Sequence, residues 1–399
     1  MKIMFEKVSP APVDPIFGLT EEFIKDIRSR KINLTIGIYK DKNNKTPILN
    51  TVKKAELNIL ELERTKSYLI IEGKSEYAYS VQKLLFGENA QIIKENRIKT
   101  AQTPGGTGAL RIAAEFIKHK LKRNTIWCSN PTWTNHNAIF SSVGLRIKQY
   151  SYYNEIIKDK NFTGMIEDLE KASHGDIVLL HVCSHNPTGT DLTKEEWNIL
   201  AQLIEEKGLI PLFDCAYQGF SKGIEEDAYG VRTITKYSKE ILVATSFSKN
   251  FSLYNERIGA LTLIAEKEHI TNKAFSQIKG IIRCIYSTPP AHGSNIVSMI
   301  LNNPTLCIEW KNELKEMRNR IQEMRKLFIK TLNTIINKTD FDFLQKQTGM
   351  FSYLNLSQKQ IRRLREEFAV YILPPGRINV SGITESNIEA LCSSIAKVM

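Results

Sequence analysis

Lys249 lies in SFSKNFSLYNERIGA, residues 246–260, just after the apolar run Ile241–Ala244. A charged ammonium at the end of a buried strand is costly to desolvate, so an amine kept there points either into water or into chemistry. Uncharged, it is a nucleophile toward carbonyls and a base. The same stretch adds a hydroxyl, Ser246, and a guanidinium, Arg257.

Four other stretches carry candidates of the same kind. In TPGGTGAL, Gly105 and Gly106 let backbone N–H groups approach an anion, Thr107 adds a hydroxyl, and a helix begins there with its positive end. Its spacing fits neither an ATP-binding loop nor a dinucleotide fingerprint. In FDCAYQGF, Asp214 needs a cation and Tyr217 offers a phenol to the same space. CSHNPTGT puts the Asn186 amide on a turn, and SNPTWTNH supplies Trp133, whose flat ring covers a ligand or packs in the core. Taken singly, the glycines and the Asn-Pro pair are also ordinary turn signals.

One ligand uses them all. A planar phosphorylated aldehyde with a pyridine nitrogen needs a lysine to bond the aldehyde, a carboxylate to keep the nitrogen protonated, donors for its phenolate, and an anion seat. Lys249, then Asp214, then Tyr217 with Asn186, then Gly106, Thr107, Ser246 and Arg257 meet those needs. The reading is pyridoxal 5'-phosphate. Metal binding by His181, Cys183 and His185, which alternate along one strand end, lacks a fourth ligand and is set aside for packing and hydrogen bonding.

These residues follow apolar runs that alternate with helical patterns between residues 98 and 265. Candidate strands are Ile98–Gln102, Thr125–Ser129, Leu145–Tyr150, Asp176–Val182, Leu209–Phe213, Ile241–Ser246 and Ile258–Ile264. Candidate helices between them are Gly108–Lys120, Asn135–Val143 and Thr193–Lys207. This predicts an α/β fold with a mostly parallel sheet flanked by helices, binding ligands at the carboxyl ends of its strands. His292 to about Asn337 reads as largely helical; beyond it, Gly349–Leu354 and Arg377–Val380 read as strands and Gln358–Glu367 as a helix. INLTIGIYK, residues 32–40, reads as a strand too short of company to form its own core. The expected division is a large domain at 48–315 and a discontinuous α+β domain from 1–47 and 316–399.

The 399 residues, 42% hydrophobic and 25% charged, suit a soluble two-domain protein. The net charge of +12 is spread along the chain, and its densest piece, KHKLKR at 118–123, closes an amphipathic helix, so neither nucleic acid nor a membrane is an expected partner. Six cysteines without CxxC pairs, and a proline-broken polar start, predict reduced thiols in the cytoplasm.

HNPTGT, FDCAYQGF, SFSKNFSLYNERIGA, TPGGTGALRIAAEF and GRINVSGIT together resemble the class I aminotransferases of fold type I, in the branch of aspartate and aromatic amino acid aminotransferases, from about Asp14 to the C-terminus. The resemblance implies a seven-stranded sheet and transamination between L-aspartate and 2-oxoglutarate, alternating with a pyridoxamine form. The alternative is an aromatic amino acid aminotransferase with overlapping dicarboxylate use. It implies Lys249 as the amine that bonds the cofactor and carries the proton, and Asp214 on the ring nitrogen with His136 behind it. Asn186 and Tyr217 would hold the ring oxygen, Trp133 would stack on the ring, and Gly105, Gly106, Thr107, Ser246 and Arg257 would form the phosphate cup. Gly37, Trp133 and Asn186 would line the substrate space, with Arg377 gripping the α-carboxylate. Tyr68 and Arg283 would reach across a homodimer, Tyr68 to the phosphate and Arg283 to a side-chain carboxylate. Asn255 leans toward aspartate, whereas Phe17, Thr288 and Pro375 depart from the commonest pattern.

Overall fold

The computed structural model describes residues 4–12, 14–337 and 341–399; residues 1–3, 13 and 338–340 of the expected small domain lie outside the described residues. Its centre is a seven-stranded sheet. The strands in chain order are β1 (Ile98–Pro104), β2 (Thr125–Asn130), β3 (Arg146–Ser151), β4 (Ile177–His181), β5 (Ile210–Cys215), β6 (Ile241–Ser246) and β7 (Ile258–Ile264). In space they run β1-β7-β6-β5-β4-β2-β3. All neighbours are parallel except β7, which is antiparallel to both β1 and β6.

The apolar runs extend because both faces of the sheet are covered. Ile177 and Leu179 of β4 join one core with Ala109, Ile112 and Ile139, while Val178 and Leu180 join the other with Trp197 and Leu200. Each such side chain contributes roughly 1.5–3 kcal/mol on burial. The first core is roofed by helices α1 (Gly105–Glu115), α2 (Thr134–Ser142) and α4 (Glu268–Ile285); α3 (Lys194–Lys207) covers the second. Helix α3 begins where Thr193 and Glu196 cap each other's backbone N–H groups, and ends at Gly208 with φ 59°. The longest helix, α5 (Pro304–Ile336), has Pro304 in its first turn and an N-cap from the Asn303 side chain to the Leu306 N–H at 3.1 Å.

Several sequence expectations change at their edges. Helix α1 starts at Gly105, not Gly108, and its last turn, Phe116–Lys120, widens into π geometry, with the Leu121 N–H reaching the Phe116 carbonyl at 3.0 Å. The helical stretch from His292 is broken at Asn303, since the residue before a proline is driven out of the helical region. INLTIGIYK is a strand only at Ile32–Asn33, parallel to Val370–Tyr371. Beyond it the carbonyls of Ile36 and Ile38 accept from the Asn379 side-chain amide at 2.7 Å each, and also from the Ile38 N–H and the Ser381 hydroxyl at 3.0 Å each, in place of a strand partner. Near the C-terminus, β8 (Phe351–Tyr353) and β9 (Arg377–Asn379) form an antiparallel pair shorter than the runs suggested.

Candidate active site

Lys249 sits in the turn after β6, partly exposed to a cleft at the carboxyl edge of the sheet. Its Nζ lies 4.9 Å from the centre of the Tyr217 ring. Its pKa falls to about 8, chiefly through desolvation, assisted by Arg257 and Arg377 and opposed by Asp214. The amine is thereby held close to its free, nucleophilic form near neutral pH. Burial pushes the Tyr217 phenol up, with Arg377 pulling the other way, so it is a protonated donor.

Asp214 comes from β5, whose last residues bring its carboxylate to the same edge. Oδ2 lies 2.9 Å from Nε2 of His136, which is fully buried on α2. The other ring nitrogen of His136 meets the Thr132 hydroxyl at 2.8 Å, and that hydroxyl lies 3.3 Å from Nε2 of His181. Burial would raise the pKa of Asp214, but the His136 hydrogen bond, with the Lys249 charge, more than offsets it. Burial and His136 drop His181 to about 3, so its ring is neutral. The result is a permanent carboxylate in a low-dielectric pocket, suited to stabilising a cationic ring nitrogen.

An anion seat lies alongside. Gly105 has φ +72°, and a Cβ on it would come within 2.7 Å of Arg257 Nη2; a Cβ on Gly106 would lie 3.1 Å from that of Ser246. Only glycine leaves this cradle open. Thr107, in the first turn of α1, is exposed at its rim, and the N–H groups of that turn lack intrahelical partners. Arg257 donates to the Tyr254 carbonyl at 3.0 Å and the Ser248 hydroxyl at 3.3 Å, and makes no ion pair among the described residues. A cradle closed to side chains and a cation without an anion fit a phosphate.

Arg377 on β9 is 4% exposed. Nη1 donates to Asn186 Oδ1 at 3.0 Å, Nη2 donates to the Thr35 carbonyl, and Nε is buried with no partner among the described residues. The guanidinium lies 4.3 Å from the Phe351 ring centre, and a Cβ on Gly37 would meet that ring at 2.8 Å and the Tyr217 hydroxyl at 3.5 Å. A buried cation with an unused donor is set to receive a carboxylate. Trp133, half-buried at the start of α2, stands edge-on to His136 with centroids 5.2 Å apart.

Tyr68 and Arg283 stand outside this cluster. Tyr68 is 92% exposed, and the exposed Arg283 donates only to Ser287 one turn on. Tyr68 borders a groove of about 920 Å³ lined also by Ile59, Leu62, Pro290, His292 and Met299. Lys249 does not line this groove.

The family model for aminotransferase class I and II matches residues 29–395. The chain belongs to this family. It is 52% identical to an aspartate aminotransferase of Haemophilus influenzae and 51% to one of Escherichia coli, covering in each case 99% of this chain and all of the relative. A solved aromatic-amino-acid aminotransferase of Burkholderia pseudomallei, covalently bound to pyridoxal phosphate, superposes with a TM-score of 0.96 at 41% identity over 99% of both chains. Fold type I architecture, with its largely parallel seven-stranded sheet, follows from these likenesses and from the strand order.

Sequence reasoning on this aminotransferase chain missed several residues around the site. Thr132 bridges two histidines; its signal was its place four residues before His136 on the approach to α2. Thr35 meets Arg377 from 342 residues away, and Phe351 meets it across the β8–β9 pair, contacts that no local pattern announces. His181 and His185 lie with ring centroids 4.2 Å apart at a tilt of 41°, but His185 is engaged by the Ser129 and Thr188 hydroxyls at 2.9 Å each.

Proposed function

We propose that this chain binds pyridoxal 5'-phosphate and catalyses transamination between L-aspartate and 2-oxoglutarate, giving oxaloacetate and L-glutamate by a ping-pong cycle. The observation that carries the proposal is a lysine with its pKa drawn down to about 8 beside a carboxylate held ionised by a buried histidine. The aspartate aminotransferases to which it is about half identical support the choice of substrate.

Bound in the cleft, the group supplies a carbonyl for the amine and a sink for the electron pair left when the substrate Cα–H bond breaks. Lys249 would hold the cofactor's carbonyl carbon and, when its amine is free, would take and return the substrate Cα proton. Asp214 keeps the ring nitrogen protonated, with His136 fixing its direction. Tyr217 and Asn186 donate to the ring oxygen, and Trp133 covers the ring. Gly105, Gly106, Thr107, Ser246 and Arg257 hold the phosphate. Arg377 grips the α-carboxylate beside Gly37 and Asn186.

The rest of the reading needs a second copy. Tyr68 would complete the neighbour's phosphate cup and Arg283 would bind the second carboxylate of the substrate in the neighbour's site, so the active form is a homodimer. Their exposure in the single chain supports this, as does the apolar groove beside Tyr68. We assign residues 48–315 to the cofactor-binding domain and the remainder to the smaller domain. Six free cysteines support a reducing, cytoplasmic setting. Aromatic amino acid transamination is the second reading, favoured by the likeness to the Burkholderia enzyme.

The test is spectroscopic. Purified protein should absorb in the visible, and the band should change faster with aspartate or glutamate than with tyrosine or phenylalanine. A colourless protein that takes up no pyridoxal phosphate overturns the function; faster change with the aromatic pair selects the second reading.

A further inference from the structure

Asp191 closes the turn that carries Asn186, and its carboxylate ties three separate segments together. Oδ1 accepts the His185 N–H at 2.9 Å; Oδ2 accepts the Ser184 N–H and the Ser221 hydroxyl at 2.9 Å each, and the Thr348 hydroxyl at 2.8 Å. Three donors on one oxygen suit an anion and no neutral side chain. Ser221 lies in the same loop as Tyr217, after β5, and Thr348 opens the turn into β8.

That turn packs closely on the Asn186 loop. The Thr348 N–H donates to the Gly189 carbonyl at 2.6 Å, and a Cβ on Gly189 would lie 2.6 Å from the Phe351 carbonyl oxygen. Gly349, with φ +71°, would place a Cβ 2.3 Å from Ser184 Oγ. From Thr348 the chain runs into β8, where Tyr353 pairs with Arg377 of β9 and the Phe351 ring underlies the Arg377 guanidinium. Arg377 then returns to Asn186 Oδ1. The contacts form a closed ring in which Asp191 stands opposite the Asn186–Arg377 pair.

We propose that Asp191 is a positioning residue for the α-carboxylate clamp. By fixing the Asn186 loop and the root of β8 to one carboxylate, it sets the spacing between the Asn186 amide and the Arg377 guanidinium without touching substrate. The proposal rests on the reading of Arg377 as the clamp. Its consequence is specific: disturbance at Asp191 weakens every substrate, because all share the α-carboxylate, whereas disturbance at Arg283 discriminates among them.

The experiment measures succinate binding to the holoenzyme by calorimetry; succinate has carboxylates but no amino group, so it is not turned over. Asp191→Asn should weaken succinate about tenfold, the size of one charge-assisted hydrogen bond, with the cofactor band retained, and should raise KM for aspartate and phenylalanine alike by more than it lowers kcat. Thr348→Val, which removes one hydroxyl and keeps the shape, should weaken succinate about threefold, and Thr348→Ser should restore it. Unchanged succinate affinity in both Asp191→Asn and Thr348→Val overturns the positioning role, as does equal loss in Thr348→Val and Thr348→Ser. If Asp191→Asn does not fold, the Thr348 pair decides alone. The wild-type cofactor band is read separately, and its absence overturns the function, not the ring of contacts.

Discussion

The edge of the sheet around Lys249 and the exposed positions of Tyr68, in the loop before Ser75, and Arg283, on α4, differ in their surroundings. At the first, His136, Asn186 and Arg377 are buried, and most polar groups are engaged: His136 holds Asp214, Asn186 holds Arg377, and Ser248 holds Arg257. At the second, the side chains project into solvent, and Arg283 donates only to Ser287, just past the end of its helix, among the described residues. One region is preorganised by its own chain. The other is solvent-exposed, and exposed arginines and tyrosines of this kind gain strength only when water is excluded around them.

The sharpest way to break this comparison is Lys249→Ala. Turnover of aspartate should fall by roughly 10⁴-fold or more, because both the amine that bonds the cofactor and the base are lost, while thermal stability holds, since a desolvated amine costs the fold more than it contributes. Retained turnover with aspartate would remove Lys249 from the centre of the site. Next comes Arg283→Ala: kcat/KM for aspartate should drop about a hundredfold and that for phenylalanine by less than about threefold, the difference being one paired carboxylate. Equal losses would show that Arg283 does not select substrates.

The smallest effect concerns pH. Burial disfavours the ammonium of Lys249, and only the neutral amine attacks an aldehyde, so capture of pyridoxal phosphate by the cofactor-free protein should quicken about tenfold per pH unit below the pKa and level off above about 8. A rate still climbing toward the ordinary lysine value of 10.5 would mean that the amine is solvated, erasing the contrast with the exposed positions.

Much of the buried region was legible in the sequence because strand-end chemistry is local. An apolar run followed within a few residues by Asp214 or Lys249 predicts both the element and the side of the sheet, and Thr193 with Glu196 announces the start of α3. The INLTIGIYK run misled because its alternation suggests a strand, yet Asn379 occupies the carbonyls a strand would use. Thr35 was invisible because its partner Arg377 is 342 residues away and adjacent only after folding, and Phe351 because it meets Arg377 only through the β8–β9 pairing.

By itself, then, the sequence determined the chemical inventory: an amine, a carboxylate, a phenol, an amide and a glycine cradle, each placed at the end of an apolar run by short-range patterning. Tertiary structure decided how that inventory combines. The antiparallel insertion of β7 between β1 and β6 brings Arg257 against Gly105, and the β8–β9 pair carries Arg377 back to Asn186. Such pairings depend on hydrogen-bond register and packing between segments far apart in the chain, and the free energy that selects them exists only once both faces of the sheet are covered.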